Sequence, residues 1–110
     1  MESEKNTERY LREKVAELGG EAYKFVSPMR NGVLDRLCVL PKRKVWFVEV
    51  KSEQEEPTEQ QWREIHRLIK KGHKATWVKS KADVDTVIKL MRKDLADDGK
   101  TNGTGIAANE

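Results

Sequence analysis

A carboxylate and an ammonium group lie two residues apart at the end of an apolar run, in the sequence Glu49-Val50-Lys51. Side chains two apart in a strand point to the same face of the sheet. A second carboxylate, Asp35, opens another short apolar run fourteen residues earlier. Two carboxylates and the carbonyl oxygen of Val50 can hold Mg²⁺ or Mn²⁺, and a lysine beside them can contact a phosphate or orient an attacking water. The pattern predicts the chemistry of a metal-dependent nuclease.

The alternative for Glu49 and Lys51 is a surface ion pair on an edge strand. The residues that precede them, Val45 to Val48, are all apolar, as in a strand buried at the centre of a sheet. A charge in such a strand is costly unless it is paired or binds a metal. The composition of the strand therefore favours the metal site.

The two carboxylates can meet in only one register of the predicted hairpin. With a turn of four residues, Arg36 would lie opposite Glu49 and Asp35 would point to the other face. Asp35 lies opposite Glu49 if the turn has three residues, Pro41–Arg43, or if the strand carries a bulge near Asp35. The metal site therefore predicts an odd-length turn or a bulge.

The remaining elements follow from periodicity and from helix start and stop signals. We predict helices at 4–18, from Thr58 to about residue 71, and from Ser80 onward, and strands at 22–26, 34–40, 44–51 and 75–78. Thr58 with Gln61 and Ser80 with Asp83 have the spacing of capping boxes. The order is α-β-β-β-α-β-α, which indicates an α/β fold.

Two helix residues are further candidates for the site. Glu8 extends the apolar stripe of Leu11 and Val15 toward the start of the helix, so its carboxylate projects toward the core side. A metal or its hydration water would be a partner for it there. The alternative is a glutamate favoured by the helix dipole, and Glu4 is a weaker candidate on the same stripe. The capping box explains Gln61 without any catalytic role, but Gln61 also lies on the apolar stripe of Ile65 and Leu68, and we favour a functional role for it, with Gln60 as the alternative.

These residues together resemble the VRR-NUC family of the PD-(D/E)XK nuclease superfamily, in particular its small stand-alone members of phage type. The resembling segments are Glu8, residues 32–37, residues 46–51 and residues 58–61. One departure is Leu34, which stands where the family usually has proline, and which bears on the rigidity of the loop rather than on the ligands. The resemblance implies a mixed four-stranded sheet flanked by helices and a Mg²⁺- or Mn²⁺-dependent phosphodiesterase that acts on DNA. In that enzyme Asp35, Glu49, Lys51, Gln61 and Glu8 would be catalytic, and Asp35, Glu49, the Val50 carbonyl and Glu8 (through water) would hold the metal.

Length and composition fit one small domain. Of the 110 residues we assign 1–95 to it, and we interpret 96–110, which has no periodic pattern, as a disordered tail. The single cysteine, Cys38, excludes an intrachain disulfide, and its apolar neighbours favour a buried hydrophobe. No segment resembles a signal peptide or approaches the roughly 20 apolar residues of a membrane span. We therefore expect a soluble cytoplasmic protein.

Charge and size shape the expected partner. The net charge of +3 permits a polyanionic partner without requiring one. Candidate phosphate contacts are Lys24, Arg30, Lys42, Arg43 and Lys44, with a further basic group at residues 70–74. A chain this small has little surface for reading a long sequence, so we expect branched DNA, such as a Holliday junction or a flap, to be cut by a homodimer. The alternatives are a non-catalytic nucleic-acid-binding module and a restriction-type duplex endonuclease.

Overall fold

The computed structural model describes residues 3–26, 32 and 34–97. Within them the helices and strands follow the predicted order. They are α1 (Glu4–Glu17), β1 (Glu21–Lys24), β2 (Arg36–Leu40), β3 (Lys44–Val50), α2 (Glu59–Lys70), β4 (Lys74–Val78) and α3 (Lys81–Ala96). Helix α3 passes the predicted domain boundary by one residue, and residues 98–110 of the predicted tail lie outside the described part, as does Arg30. None of the described helices is long and apolar enough to cross a membrane.

The four strands form one mixed sheet in the order β1-β2-β3-β4. The pairs β1–β2 and β2–β3 are antiparallel, and the pair β3–β4 is parallel. Helices α1 and α3 contact each other, and α1 also contacts β1, while α2 contacts β4. The predicted α/β fold with a mixed four-stranded sheet flanked by helices is confirmed, and β3 is a central strand.

The turn between β2 and β3 sets the register on which the site depends. Leu40 pairs with Lys44, so the turn contains the three residues Pro41–Arg43, and the Lys44 N–H donates to the Pro41 carbonyl (3.3 Å). The odd-length turn was one of the two predicted solutions. Lys42 and Arg43 both have positive φ (61° and 63°), a conformation that costs a residue with a Cβ atom roughly 1–2 kcal/mol.

The core explains why this strained turn persists. Alternate residues of the hairpin, among them Cys38, Leu40, Trp46 and Val48, are buried in one cluster with residues of α1 and α3. A slip by one residue would turn all of them to the opposite face. Burial also raises the pKa of the Cys38 thiol to about 12, as expected of a cysteine that serves as a small apolar side chain.

Each helix begins at an N-cap, and those of α2 and α3 are the ones that the sequence predicts. The box predicted for α3 is formed in one direction only, because Asp83 Oδ2 accepts from the Lys79 N–H rather than from that of Ser80. Ser3 accepts from the Asn6 N–H at the start of α1, and Ser80 accepts from the Asp83 N–H at the start of α3. At α2, the Thr58 side chain accepts from the Gln61 N–H, and the Gln61 side chain accepts from the Thr58 N–H, which completes a capping box. The start of α2 therefore has a fixed position relative to the loop that precedes it.

Candidate active site

Asp35 and Glu49 come together at the end of the sheet opposite the turn. The Asp35 N–H donates to Glu49 Oε1 (3.2 Å), and the Val50 N–H donates to Asp35 Oδ1 (3.3 Å). The register continues that of the last ladder pair, Arg36 opposite Val48. The structure thus brings together the two carboxylates that the sequence singled out, and it does so without a bulge in the paired part of β2.

The two carboxyl groups share surroundings that disfavour negative charge. Glu49 is only 5% exposed. Burial and then the charge of Asp35 raise the pKa of Glu49 to about 7, although Lys51 acts in the opposite direction. Burial also raises the pKa of Asp35 from its ordinary value, against a hydrogen bond from the Val50 N–H that lowers it. A cation between these groups would relieve the same electrostatic cost.

Lys51 lies beside Glu49, as the two-residue spacing predicts. Its Nζ is 3.4 Å from Glu49 Oε2, and the side chains are 15% and 6% exposed. The Lys51 N–H donates to the Val78 carbonyl (2.9 Å), which extends the contact between β3 and β4 past the end of the ladder. The pair is therefore a buried ion pair on a central strand, and the alternative of a surface pair on an edge strand is wrong.

Gln61 serves the helix cap and the site at once. Its Oε1 accepts from the Thr58 N–H (2.9 Å), while its Nε2 donates to Glu49 Oε2 (2.8 Å). The capping role of Gln61 is confirmed, and because the other end of its amide contacts Glu49, the cap does not exclude the functional role, which stays a prediction. The neighbouring Gln60 is exposed, and its backbone lies close to Gly32.

Gly32, three residues before Asp35, lies against the first turn of α2. Gly32 has φ +82°, and a Cβ atom there would lie 2.9 Å from the backbone of Gln60. Such a contact is too close for any side chain, so glycine is required for this approach. Two residues on, Leu34 is 1% exposed. The buried leucine anchors the chain at the position where the resembling family has proline.

Glu8 has a partner that the sequence reading missed. Arg36 donates to Glu8 Oε2 through Nη2 (2.7 Å) and Nε (3.2 Å), and its Nη1 donates to the Ala22 carbonyl (3.2 Å). Arg36 is 7% exposed. A signal was present, because an arginine two residues before the buried Cys38 shares its face of the strand, and a buried guanidinium needs a carboxylate. The deepest α1 position in line with Leu11 is Thr7 rather than Glu8.

The donor set fits a hard divalent cation with few protein ligands. Among residues 3–26, 32 and 34–97, no three His, Cys, Asp or Glu side chains group together as a metal site. Mg²⁺ usually binds one or two protein carboxylates and completes its shell with water and substrate oxygens. Asp35 and Glu49, with the carbonyl oxygen of Val50, provide such a set. The pKa of Glu4 is also raised, first by burial and then by the negative charge of Asp35.

Two comparisons with known proteins agree with this geometry. A solved structure described as "VRR_NUC domain" superposes with a TM-score of 0.73 and 33% sequence identity, over 80% of this chain and 97% of that one. The chain belongs to the VRR-NUC family. A phage protein of Acyrthosiphon pisum secondary endosymbiont phage 1, named "Putative nuclease p44", is 51% identical over 70 residues, which are 64% of this chain and 75% of the relative. No family model matches the sequence. The two likenesses support a nuclease.

In the described part of this VRR-NUC domain, the candidates Lys24, Lys42, Arg43 and Lys44 fall into two groups. Lys24 pairs with Arg36 across the ladder, so it lies near the Asp35 end. Lys42 and Lys44 lie at the turn, at the opposite end of β2 and β3, with Arg43 between them. There Lys42 Nζ donates to the Leu95 carbonyl (3.2 Å), and Lys44 Nζ lies 3.4 Å from Asp94 Oδ1. The turn cations are thus roughly five strand residues, or about 17 Å, from the carboxylates.

The raised pKa of Glu49 predicts a pH-dependent stability in metal-free buffer. The pKa of Glu49 in the folded protein (about 7) exceeds its ordinary value of 4.5. The stability that this difference contributes is therefore complete below pH 4.5, and it is lost as the pH rises through about 7 and Glu49 ionises in the folded protein. The loss amounts to roughly 3 kcal/mol. We expect Glu49→Gln to flatten the fall in unfolding free energy between pH 5 and 8, measured by urea titration in EDTA. The exposed Glu59→Gln variant should keep the wild-type profile, and a steep profile in Glu49→Gln would contradict the assignment.

The pair of Arg36 and Glu8 predicts a non-additive effect on stability. Arg36→Met leaves the Glu8 carboxylate without its guanidinium partner and should lower the unfolding free energy by about 3 kcal/mol. Adding Glu8→Leu to it should restore most of that loss, since an apolar pair has no charge to satisfy. Arg63→Met, which breaks an exposed pair with Glu59, should change stability by less than about 0.5 kcal/mol. Additive losses in the double variant would show that the two side chains are not coupled.

Proposed function

We propose that this VRR-NUC protein is a Mg²⁺- or Mn²⁺-dependent endonuclease that hydrolyses phosphodiester bonds of DNA. The observation that carries the proposal is the convergence of Asp35 and Glu49 at one end of the sheet, with Lys51 Nζ 3.4 Å from Glu49 Oε2. Membership of the VRR-NUC family and the name of the phage relative support a nuclease. We also propose that the enzyme depends on a divalent metal, that its substrate is branched DNA, and that it is a homodimer.

Each residue of the site has a distinct task in this proposal. Asp35, Glu49 and the Val50 carbonyl would hold the cation. A bound Mg²⁺ or Mn²⁺ supplies a water of lowered pKa and neutralises charge on the phosphate. The Lys51 ammonium group contacts an oxygen of the scissile phosphate or orients the attacking water, in a site where burial strengthens its field. Gln61 holds the Glu49 carboxylate in position through the bond from its Nε2.

Glu8 completes the site from helix α1. Its Oε2 is held by Arg36, while the charge of its carboxylate still reaches Asp35, whose pKa it raises. We assign to Glu8 a contact with the cation through water. The phosphates that flank the scissile bond are assigned to Lys24 and Arg30, and more distant phosphates to Lys42, Arg43 and Lys44.

We further propose that the substrate is branched DNA and that the enzyme is a homodimer. The sheet face that bears Asp35 and Glu49 also bears Tyr23, Val39 and Val45, which are 49%, 38% and 38% exposed. These apolar side chains on one face suit a second copy of the chain, whereas Leu90 is the large exposed apolar residue of α3. Two copies joined through the sheet would place two sites on the arms of a junction.

A cleavage panel tests the activity. Four-way junction, flap, splayed-arm, duplex and single-stranded DNA are incubated with Mg²⁺, Mn²⁺ or EDTA. We expect metal-dependent cutting of branched DNA, and we expect Asp35→Asn and Lys51→Met to lower the rate at least about 100-fold, because each removes a charge that acts on the reacting phosphate. The control Glu59→Gln removes an exposed carboxylate of α2 and should keep the rate. Metal-independent binding without cutting would favour the non-catalytic module, and discrete cuts in linear duplex would favour a restriction-type enzyme.

The proposed dimer is tested by mass. Light scattering coupled to size exclusion should give twice the mass of one chain for the wild type. Val45→Lys, which places a charge in the exposed apolar patch of the sheet, should give the monomer, while Leu90→Lys on α3 should leave the dimer intact. A monomeric wild type that cuts junctions at full rate would refute the dimer and leave the nuclease proposal standing.

A further inference from the structure

A tryptophan lies directly beside the candidate site in the sheet. Trp77 of β4 is the ladder partner of Glu49 in β3. Residues at matching positions of parallel strands project to the same face, with backbones about 4.8 Å apart. Trp77 is therefore one strand spacing from the Glu49 carboxylate, on the side away from Asp35.

A second tryptophan extends this aromatic surface toward solvent. Trp62 follows Gln61 at the start of α2, and its ring centroid is 6.0 Å from that of Trp77 at an interplanar angle of 77°. Trp62 is 36% exposed. The His66 ring lies one helical turn further on, 6.0 Å from Trp62. Glu49, Trp77 and Trp62 thus form a continuous path from the carboxylates to the surface.

The surface combines aromatic rings with positive charge. Lys79 Nζ lies over the Trp77 ring, 6.0 Å from its centroid, and Lys51 stands at the other end of the path beside Glu49. Ile65 is the buried residue of α2, whereas Trp62 keeps 36% of its surface exposed. A partly exposed Trp62 ring that packs on Trp77, with Lys79 over Trp77 and Lys51 beside Glu49, has the chemistry of a nucleotide site, since bases stack on aromatic rings and phosphates pair with lysines.

We propose that Trp62, supported by Trp77 and Lys79, stacks on one unpaired nucleobase of the DNA next to the scissile phosphate. The inference rests on the proposed nuclease function and specifies how its substrate is selected. In a continuous duplex both faces of each base are covered by neighbouring bases. A base whose stack is interrupted at a branch offers a free face, so the Trp62 surface favours branched over continuous DNA.

Binding without cleavage gives the first test. A fluorescent oligo(dT) is titrated in EDTA, beside an oligonucleotide of equal length in which abasic sites replace the bases. Loss of one stacking contact of about 1–3 kcal/mol corresponds to a roughly 5- to 150-fold weaker Kd. We expect Trp62→Leu to weaken binding of oligo(dT) within that range, Trp62→Phe to stay within about threefold of the wild type, and all three proteins to bind the abasic strand alike.

Cleavage of flaps in Mg²⁺ gives the second test. A single abasic site at the branch should slow the wild type and should have no further effect on Trp62→Leu, because base and ring act through the same contact. Ile69→Ala, which shortens an exposed apolar side chain of the same helix, should behave as the wild type in both tests. Unfolding temperatures are compared for every variant, and Trp62→Met replaces Trp62→Leu if the latter does not fold.

The outcomes separate the two proposals. If Trp62→Leu binds oligo(dT) as tightly as the wild type, or if its effect and that of the abasic site add independently, base stacking at Trp62 is refuted. If the wild type cuts no DNA, the nuclease proposal fails, and the binding test still decides whether Trp62 contacts a base.

Discussion

The register of the β2–β3 hairpin is the constraint on which the rest of the structure depends. Three turn residues place Leu40 opposite Lys44, and from that pair the alternation of side chains runs without interruption to the far end of both strands. One face then receives the apolar core residues, and the other receives Asp35 and Glu49. A turn with one residue more would have put the two carboxylates on opposite faces, and the strain at Lys42 and Arg43 is small beside the core burial that this register secures.

The same alternation divides the charges between the two sides of the sheet. Asp35 and Arg36 are neighbours in sequence, so their side chains point in opposite directions. Asp35 meets Glu49, and Arg36 is buried against Glu8 of α1. One dipeptide thus supplies a carboxylate to the candidate site and a guanidinium that ties the first helix to the sheet. A charge that looks isolated in the sequence is paired once the strand has its partners.

The electrostatics of the site are unfavourable to the protein alone and suited to a cation. Burial raises the pKa of Glu49 to about 7 and raises that of Asp35 as well, while Lys51 offsets only part of the cost. A structural network would be expected to neutralise its charges more fully. Buried carboxylates with raised pKa values beside an ammonium group are characteristic of functional sites, and the proposed cation would offset the remaining negative charge.

The sequence by itself determined the order of the elements, the caps of α2 and α3, and the carboxylates and lysine of the candidate site. The caps depend on residues within about one helical turn, and the strand residues depend on the two-residue period of a strand. It restricted the register to two solutions without choosing between them. Only the tertiary structure decided that the turn is odd and that Arg36 is the partner of Glu8. It also decided that Gln61, besides capping its helix, holds Glu49, and that Trp62 and Trp77 adjoin the site. The contacts of Arg36 with Glu8, of Gln61 with Glu49 and of Trp62 with Trp77 join residues 12 to 28 positions apart. They depend on how helices pack on the sheet, which local periodicity does not encode.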